Sequence, residues 1–304
     1  MAAVSAKLKG CLCGVASAIC YGTNPFGALG LQAEGITAGS MLFYRFAVAT
    51  VIIAIFLICQ RETFAVTRKE LLILMVLGVL FGVSSLGLFL SFNYMEAGVA
   101  STILFVYPVM VAVIMAVVFR ERISWGTFVA IILSLGGIGL LYQGNGEANL
   151  SLVGMLFVLQ GSLTYAIYFV VTNKAPLNLP PMKVTFYVLI FSTITVSLYS
   201  LMAEDSKIQW LETPAMWGYA LSLSLVSTII SLVLLTIAIK EIGSTPTAIM
   251  GALEPLTAVL IGVLLFGENF TWRLVGGIIL ILGAVMLIIL GNAFSPGSKA
   301  NNPG

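Results

Sequence analysis

The sequence predicts an all-α membrane protein of ten transmembrane helices, arranged as two inverted five-helix repeats. Three observations predict it. Of 304 residues, 60% are hydrophobic and only 9% are charged, whereas an ordinary soluble domain carries about 25% charged residues. Apolar stretches of membrane-crossing length recur along the whole chain, and its second half resembles its first. A soluble fold needs a polar exterior that this composition does not supply, so the solvent is mostly lipid.

A hydrocarbon core about 30 Å thick takes about 20 mainly apolar residues per helix. The stretches 8–28, 37–59, 70–93, 97–119, 124–142, 152–172, 182–203, 214–239, 244–266 and 272–291 fit that length. Polar or helix-breaking segments separate them, such as Gln60-Arg61-Glu62, Gly144-Asn145-Gly146-Glu147 and the run from Pro176 to Pro181. The amino terminus imitates a signal peptide, with Lys7, Lys9, an apolar run and Ala16-Ser17-Ala18. The apolar run continues towards Ala28, which favours a first membrane helix over a cleaved leader. The small, polar end at 292–304 reads as a disordered tail.

Charge placement is an independent check on the count. Ten crossings put both termini on the same side as the loops after helices 2, 4, 6 and 8. That side carries Lys7, Lys9, Arg61, Arg68, Lys69, Arg120, Arg122, Lys174, Lys183, Lys240 and Lys299, against Lys207 and Arg273 on the other. Lys- and Arg-rich short loops stay in the cytoplasm, so both termini are expected there, in a multi-pass protein of a bacterial inner membrane.

Comparing the chain with itself, a shift of 147 residues places Pro108 on Pro255, Phe119 on Phe266, Glu121 on Glu268, Trp125 on Trp272 and Gly136 on Gly283. Slightly smaller shifts place Gly10 and Tyr21 on Gly154 and Tyr165, and Phe43-Tyr44 and Thr50 on Phe186-Tyr187 and Thr193. The repeats are therefore 8–142 and 152–291. Five helices is an odd number, so the second repeat enters the membrane inverted. Inverted repeats are the build of many secondary transporters, which bind solute near the midplane between the halves.

The Glu-Pro of a late helix, the twice-occurring Phe-x-Glu-x-x-x-Trp helix end, the glycine-rich final helix and the five-helix duplication together resemble the EamA family. That family belongs to the drug/metabolite transporter superfamily, and the resemblance covers residues 8 to 291. It implies that helices 1–4 and 6–9 surround a central cavity while helices 5 and 10 lie to one side. It also implies transport of a small metabolite, commonly by export; members carry amino acids, purine-like metabolites or toxic compounds.

Only two charged residues lie deep in the predicted spans, Arg45 in helix 2 and Glu254 in helix 9. At 1.5 Å per residue they sit about 12 Å from the outer edge and about 15 Å from the inner edge, respectively. An unpaired charge at that depth costs at least ~2.5–3.5 kcal/mol, so each should face a partner or a wet cavity. The repeat sets Glu254 against Tyr107 and Arg45 against Val188, so neither charge has a counterpart. Three readings stand: the two pair as a structural lock, they bind the carboxylate and ammonium of an amino-acid-like solute, or Glu254 takes up a proton during transport. Tyr21, Asn24, Tyr107, Tyr165, Tyr168 and Tyr187 add hydroxyl, amide and aromatic contacts as candidate binding residues. Pro25, Pro108 and Pro255 are candidate helix breaks or hinges. Ser84, Ser85, Ser224, Ser227, Thr228 and Ser231 would bond their own helix backbones or line the path.

Other functions find little support. There is no histidine, and Asp205 is the only aspartate. No nucleophile elbow or Walker loop is present, so neither enzyme chemistry nor nucleotide hydrolysis is expected. Cys11, Cys13, Cys20 and Cys59 read as small buried residues; without a second ligand pair, neither a metal site nor any cofactor is expected. A net charge of +2 argues against a nucleic-acid partner. The expected partners are the bilayer, a small-molecule solute and a coupling proton or ion. The sequence sets no oligomeric state. The runner-up solute is a lipid-linked or nucleotide-linked sugar, although one deep arginine is little to neutralise a diphosphate.

Overall fold

A computed structural model describes residues 2–120, 125–142, 151–175, 177, 179–203, 207–242, 247 and 250–294. Every regular element among these residues is helical. In order they are α1 (Ala2–Gly22), α2 (Asn24–Ala33), α3 (Ala38–Cys59), α4 (Arg68–Ser91), α5 (Ala97–Leu104), α6 (Tyr107–Val118), α7 (Trp125–Tyr142), α8 (Leu152–Lys174), α9 (Pro181–Met202) and α10 (Pro214–Leu221). A π-helical segment (Ser222–Ile230) follows, then α11 (Ser231–Ile242), α12 (Leu253–Phe266) and α13 (Trp272–Phe294).

Among the described residues, six stretches are long and apolar enough to cross a membrane: Ala38–Cys59, Arg68–Ser91, Ala97–Val118, Leu152–Thr172, Pro181–Met202 and Pro214–Leu235. Phe128–Leu141, Leu253–Phe266 and Trp272–Leu287 are shorter apolar helices. Val117, Leu135, Leu201, Leu264 and Ile279 are largely exposed on the outside of the bundle, a surface suited to lipid. The protein is a multi-pass membrane protein.

Local chemistry sets the helix starts. Thr37 and Thr213 accept from the backbone N–H of Ser40 and Met216. Thr67 and Glu70 form a reciprocal capping box at the start of α4. The first helical stretch continues past residue 28 to Ala33, interrupted at Thr23. The last continues through Phe294, so residues 292–294 belong to α13 rather than to a tail; 295–304 lie outside the described residues. So do Glu121 and the 143–150 connection. The cysteines are not the buried residues expected: Cys11, Cys13 and Cys20 are half-buried and Cys59 is exposed. A thiol is apolar enough to face lipid, so composition alone did not fix which way they point.

The bundle core is built by α4 packing on α8 and α9, α1 on α11 and α12, and α3 on α9, while α7 packs on α13 to one side. Backbones approach closely where α4 crosses α8. A Cβ on Gly161 would stand 2.9 Å from the Ser84 carbonyl oxygen, and Ser84 Oγ instead donates to the Gly161 carbonyl at 2.8 Å.

A pair of polar contacts joins the start of α5 to the loop after α12 at a bundle end. The Glu268 carboxylate, in the loop after α12, accepts from the N–H groups of Ala97 and Gly98 at the start of α5. Glu96 in return accepts from the Asn269 backbone N–H and Nδ2 at 3.0 and 2.9 Å. Helix N-termini carry unsatisfied donors and the positive end of the dipole, so a carboxylate is well placed there. Replacing Glu268 with alanine strands the N–H donors of two buried residues and should lower stability by about 1–3 kcal/mol, read as the thermal midpoint in detergent. Burial, reinforced by Glu96, holds the Glu268 carboxyl above the usual carboxylate range, against the pull of the two N–H donors. A raised carboxyl makes the ionised form costly above its folded-state pKa, and that cost fades as pH falls through it. Wild type should therefore gain stability relative to Glu268→Gln as pH is lowered from neutral towards the ordinary carboxyl range.

Candidate functional site

Three prolines begin the second halves of interrupted helices: Pro25 in α2, Pro108 in α6 and Pro255 in α12. Proline lacks an N–H, so the carbonyl four residues earlier loses its helical partner. For Pro108 that carbonyl belongs to Leu104, and Ser162 Oγ of α8 donates to it at 3.1 Å. For Pro255 it belongs to Gly251, which accepts from the Glu254 N–H at 2.9 Å in a tighter turn. At the first interruption the Thr23 hydroxyl lies 2.9 Å from Ser227 Oγ. At two of the three interruptions the freed carbonyl, that of Leu104 or Gly251, thus finds a polar partner inside the bundle, as the absence of water in a hydrocarbon core demands.

The three interruptions converge. Tyr21, Gly22, Asn24 and Pro25 of the first, Ser101, Leu104, Phe105 and Tyr107 of the second, and Glu254, Pro255 and Ala258 of the third line one chamber with Leu88 and Tyr165. Its free volume is about 30 Å³, close to the share of one liquid water. The walls are aromatic: Tyr107 meets Tyr165 edge-on at 4.7 Å and stacks on Phe169 at 5.1 Å. Tyr165 stacks on Tyr168 at 5.9 Å.

Of the two deep charges, Glu254 is part of the chamber wall and Arg45 lies outside that wall, next to Tyr21, and no ion pair joins them. Arg45, only 2% exposed, projects from α3 behind Tyr21. Its Nε donates to Thr228 Oγ1 at 3.0 Å, and its guanidinium carbon lies 5.5–5.9 Å from the ring centres of Phe46, Phe89 and Tyr21. Tyr21, whose ring centre lies 5.9 Å from the Arg45 guanidinium carbon, lines the chamber together with Tyr165 and Glu254. Two buried atoms nearby have no hydrogen-bond partner, Arg45 Nη2 and Asn24 Oδ1. Such groups are costly unless something satisfies them.

Of the tyrosines picked out in the sequence, Tyr21, Tyr107 and Tyr165 line the chamber, and Tyr168 sits in the aromatic layer behind it against Phe81. Tyr187 does not reach it. Its hydroxyl donates to the Phe64 carbonyl in the α3–α4 connection, because Tyr187 lies only six residues into α9, about 9 Å from the helix start. Nor does the structure show the Arg45–Glu254 pairing of the lock reading: Arg45 is held by a hydroxyl and aromatic faces. Leu88, Ser101 and Phe105 were missed; in the sequence nothing separates them from ordinary packing residues. Leu104 carried a signal, lying four residues before a proline.

The bundle ends differ. Where α2, α4 and α9 finish, a vestibule of about 520 Å³ lies among Gln32, Thr37, Asn93, Tyr94, Phe157 and Tyr199. At the opposite end Lys9 pairs with Glu241 at 3.5 Å, and Lys183 Nζ donates to the Ala65 carbonyl at 2.7 Å.

A bundle of membrane-crossing helices, three of them interrupted around an aromatic-walled chamber that holds a deep carboxyl residue, is the build of a membrane transporter. The chain matches the EamA-like transporter family over residues 8–143 and again over 152–290, and it belongs to that family, within the drug/metabolite transporter superfamily. It is 31% identical over 192 residues to an uncharacterized transporter of Archaeoglobus fulgidus, covering 63% of this chain and 67% of the relative. It is 26% identical over 264 residues to the threonine/homoserine exporter RhtA of Escherichia coli K12, covering 86% and 82%. One crystal structure shares the fold with a TM-score of 0.66 at 16% identity, over 94% of this chain and 99% of the other.

Proposed function

We propose that the protein is a secondary transporter that moves amino acids or similar small amphipathic solutes out across the inner membrane by alternating access. In this reading Arg45 receives the solute carboxylate and Glu254 its ammonium. The observation that carries it is the pair of opposite deep charges, Glu254 in the chamber wall and Arg45 beside Tyr21 of that wall, with no ion pair between them and with Arg45 Nη2 and Asn24 Oδ1 buried and unanswered. A zwitterion supplies an acceptor for the first and a donor for the second. The aromatic wall suits both an ammonium group and an apolar side chain. RhtA, whose name gives threonine and homoserine as its solutes, is consistent with that class.

The reading includes ten crossings, two inverted repeats spanning 8–142 and 152–291, and both termini in the cytoplasm. Its support is the doubled family match and the pairing of the helices. As α1 packs on α11, so α4 packs on α8; as α12 packs on α1, so α6 packs on α8; and as α9 packs on α4, so α3 packs on the π segment. Those are the pairs that exchange of two equivalent halves requires. The chamber repeats the relation, Tyr21 answering Tyr165 and Tyr107 answering Glu254. Two near-equivalent halves can trade conformations, which gives one gate on each side.

The test is counterflow in proteoliposomes with a panel of the standard amino acids and a nucleotide sugar. Zwitterionic amino acids should exchange. Exchange of the nucleotide sugar alone, or of nothing in the panel, overturns the reading.

A further inference from the structure

Arg45 raises a question of geometry. A guanidinium has five N–H donors in a fixed plane, and the direction of its free edge decides where a carboxylate can bind. Three aromatic rings surround the Arg45 group, but rings hold it only loosely about its own axis. The directional contact to its Nε is the one to Thr228 Oγ1, at 3.0 Å.

Thr228 can play that part because of where it sits. It belongs to the π-helical segment Ser222–Ile230, in the middle of a helix that begins and ends as α-helix. Its hydroxyl proton goes to the Leu223 carbonyl, five residues back, at 2.9 Å, which leaves the oxygen lone pairs for Arg45. Neighbouring hydroxyls tie the same helix down: Ser224 Oγ donates to the Tyr44 carbonyl at 3.3 Å, and Ser17 Oγ donates to the Ser231 carbonyl at 2.8 Å. The residue beside Tyr44 is Arg45 itself, so the helix fixes both the backbone and the side chain of the arginine. π-helical turns are rare and recur at functional sites.

We propose that Thr228 is a positioning residue: by engaging Nε it orients the Arg45 guanidinium so that Nη2 is presented to the solute carboxylate, and it thereby sets the preference for carboxylate-bearing solutes. With Nε occupied, an approach across the Nε edge is closed to the solute, and the terminal nitrogen carries the recognition. This rests on the reading of Arg45 as the carboxylate site.

The experiment compares wild type, Thr228→Val, Thr228→Ala and Thr228→Ser in proteoliposome counterflow, using each transported amino acid and its α-amide, which lacks the carboxylate. Wild type should prefer acid to amide by at least tenfold. Thr228→Val and Thr228→Ala should each raise KM for the acid about tenfold and leave the amide unchanged, collapsing the preference, whereas Thr228→Ser should keep it. A helix-packing role would lower transport of acid and amide together, and that outcome overturns the proposal. So does an undiminished preference in either hydroxyl-free variant; because the two carry the same expectation, misfolding of one leaves the other to decide. Wild type moving acid and amide equally overturns the underlying assignment of Arg45, and the proposal with it.

Discussion

Replacing Arg45 with leucine should lower counterflow of carboxylate-bearing solutes on the order of 100-fold while the protein remains folded and monodisperse in detergent. Truncating a buried, hydrogen-bonded charge that meets its partner costs about 2–5 kcal/mol, and each ~1.4 kcal/mol is a factor of ten. The folded state should tolerate the change because Arg45 has no carboxylate partner among the described residues. Leucine removes the desolvation cost of a cation that is 2% exposed and leaves behind one hydroxyl, that of Thr228, still donating to the Leu223 carbonyl. A structural lock would behave in the opposite way, with a fall in thermal midpoint from the orphaned Glu254. Measuring the midpoint and counterflow on the same preparation separates the two. Full transport by Arg45→Leu would dismiss the binding role. Lysine should restore little, because a point charge on a flexible stem cannot reproduce contact to Thr228 and the solute at once.

Much of the helix pattern was legible, for a simple reason. A bilayer allows few ways to satisfy a backbone, so runs of about 20 apolar residues have almost no alternative to helix. The described helices fall on the predicted stretches, and the breaks fall near the three prolines. They lie slightly earlier than the prolines themselves, at Thr23, Phe105–Val106 and Gly251–Ala252, since proline disturbs the residue before it and the carbonyl four back. The two deep charges also declared themselves, because a charge in an apolar span is too costly to be incidental.

Rotation about each helix axis was not legible. Tyr165 and Tyr187 are the same residue type on similarly apolar helices, yet one lines the chamber and the other binds the Phe64 carbonyl. When every side of a helix is apolar, no amphipathic stripe says which side faces inward. For the same reason Cys59 could be read as buried when it is exposed. The π segment was hidden too, since Ser222 to Ile230 reads as an ordinary apolar run. Its hydroxyls could be singled out in the sequence, but not the one of them that meets Arg45. The clasp of Glu268 on Ala97 and Gly98 spans most of the chain and leaves no local mark.

Changing Glu254 to glutamine should reduce counterflow of zwitterionic amino acids on the order of 100-fold, by the same loss of a charge-assisted contact at a desolvated site. Glutamine matches glutamate in shape, so the chamber walls at Tyr21, Tyr107 and Tyr165 need not move. The change is therefore electrostatic. Solutes with a carboxylate but no amino group should be affected least, because in this reading they depend on Arg45. Glu254→Asp keeps the charge but withdraws it by about one methylene, and should retain part of the activity. A role confined to proton uptake makes a different demand. Glutamine would then abolish net transport driven by a proton gradient and leave gradient-free exchange intact. Counterflow needs no gradient, so running both assays on one reconstituted batch distinguishes a carboxylate that touches the solute from one that only carries the proton. Contact with the solute is the role this reading expects, since Glu254 lines the chamber with Tyr21, Tyr107 and Tyr165, whose aromatic faces suit an ammonium group.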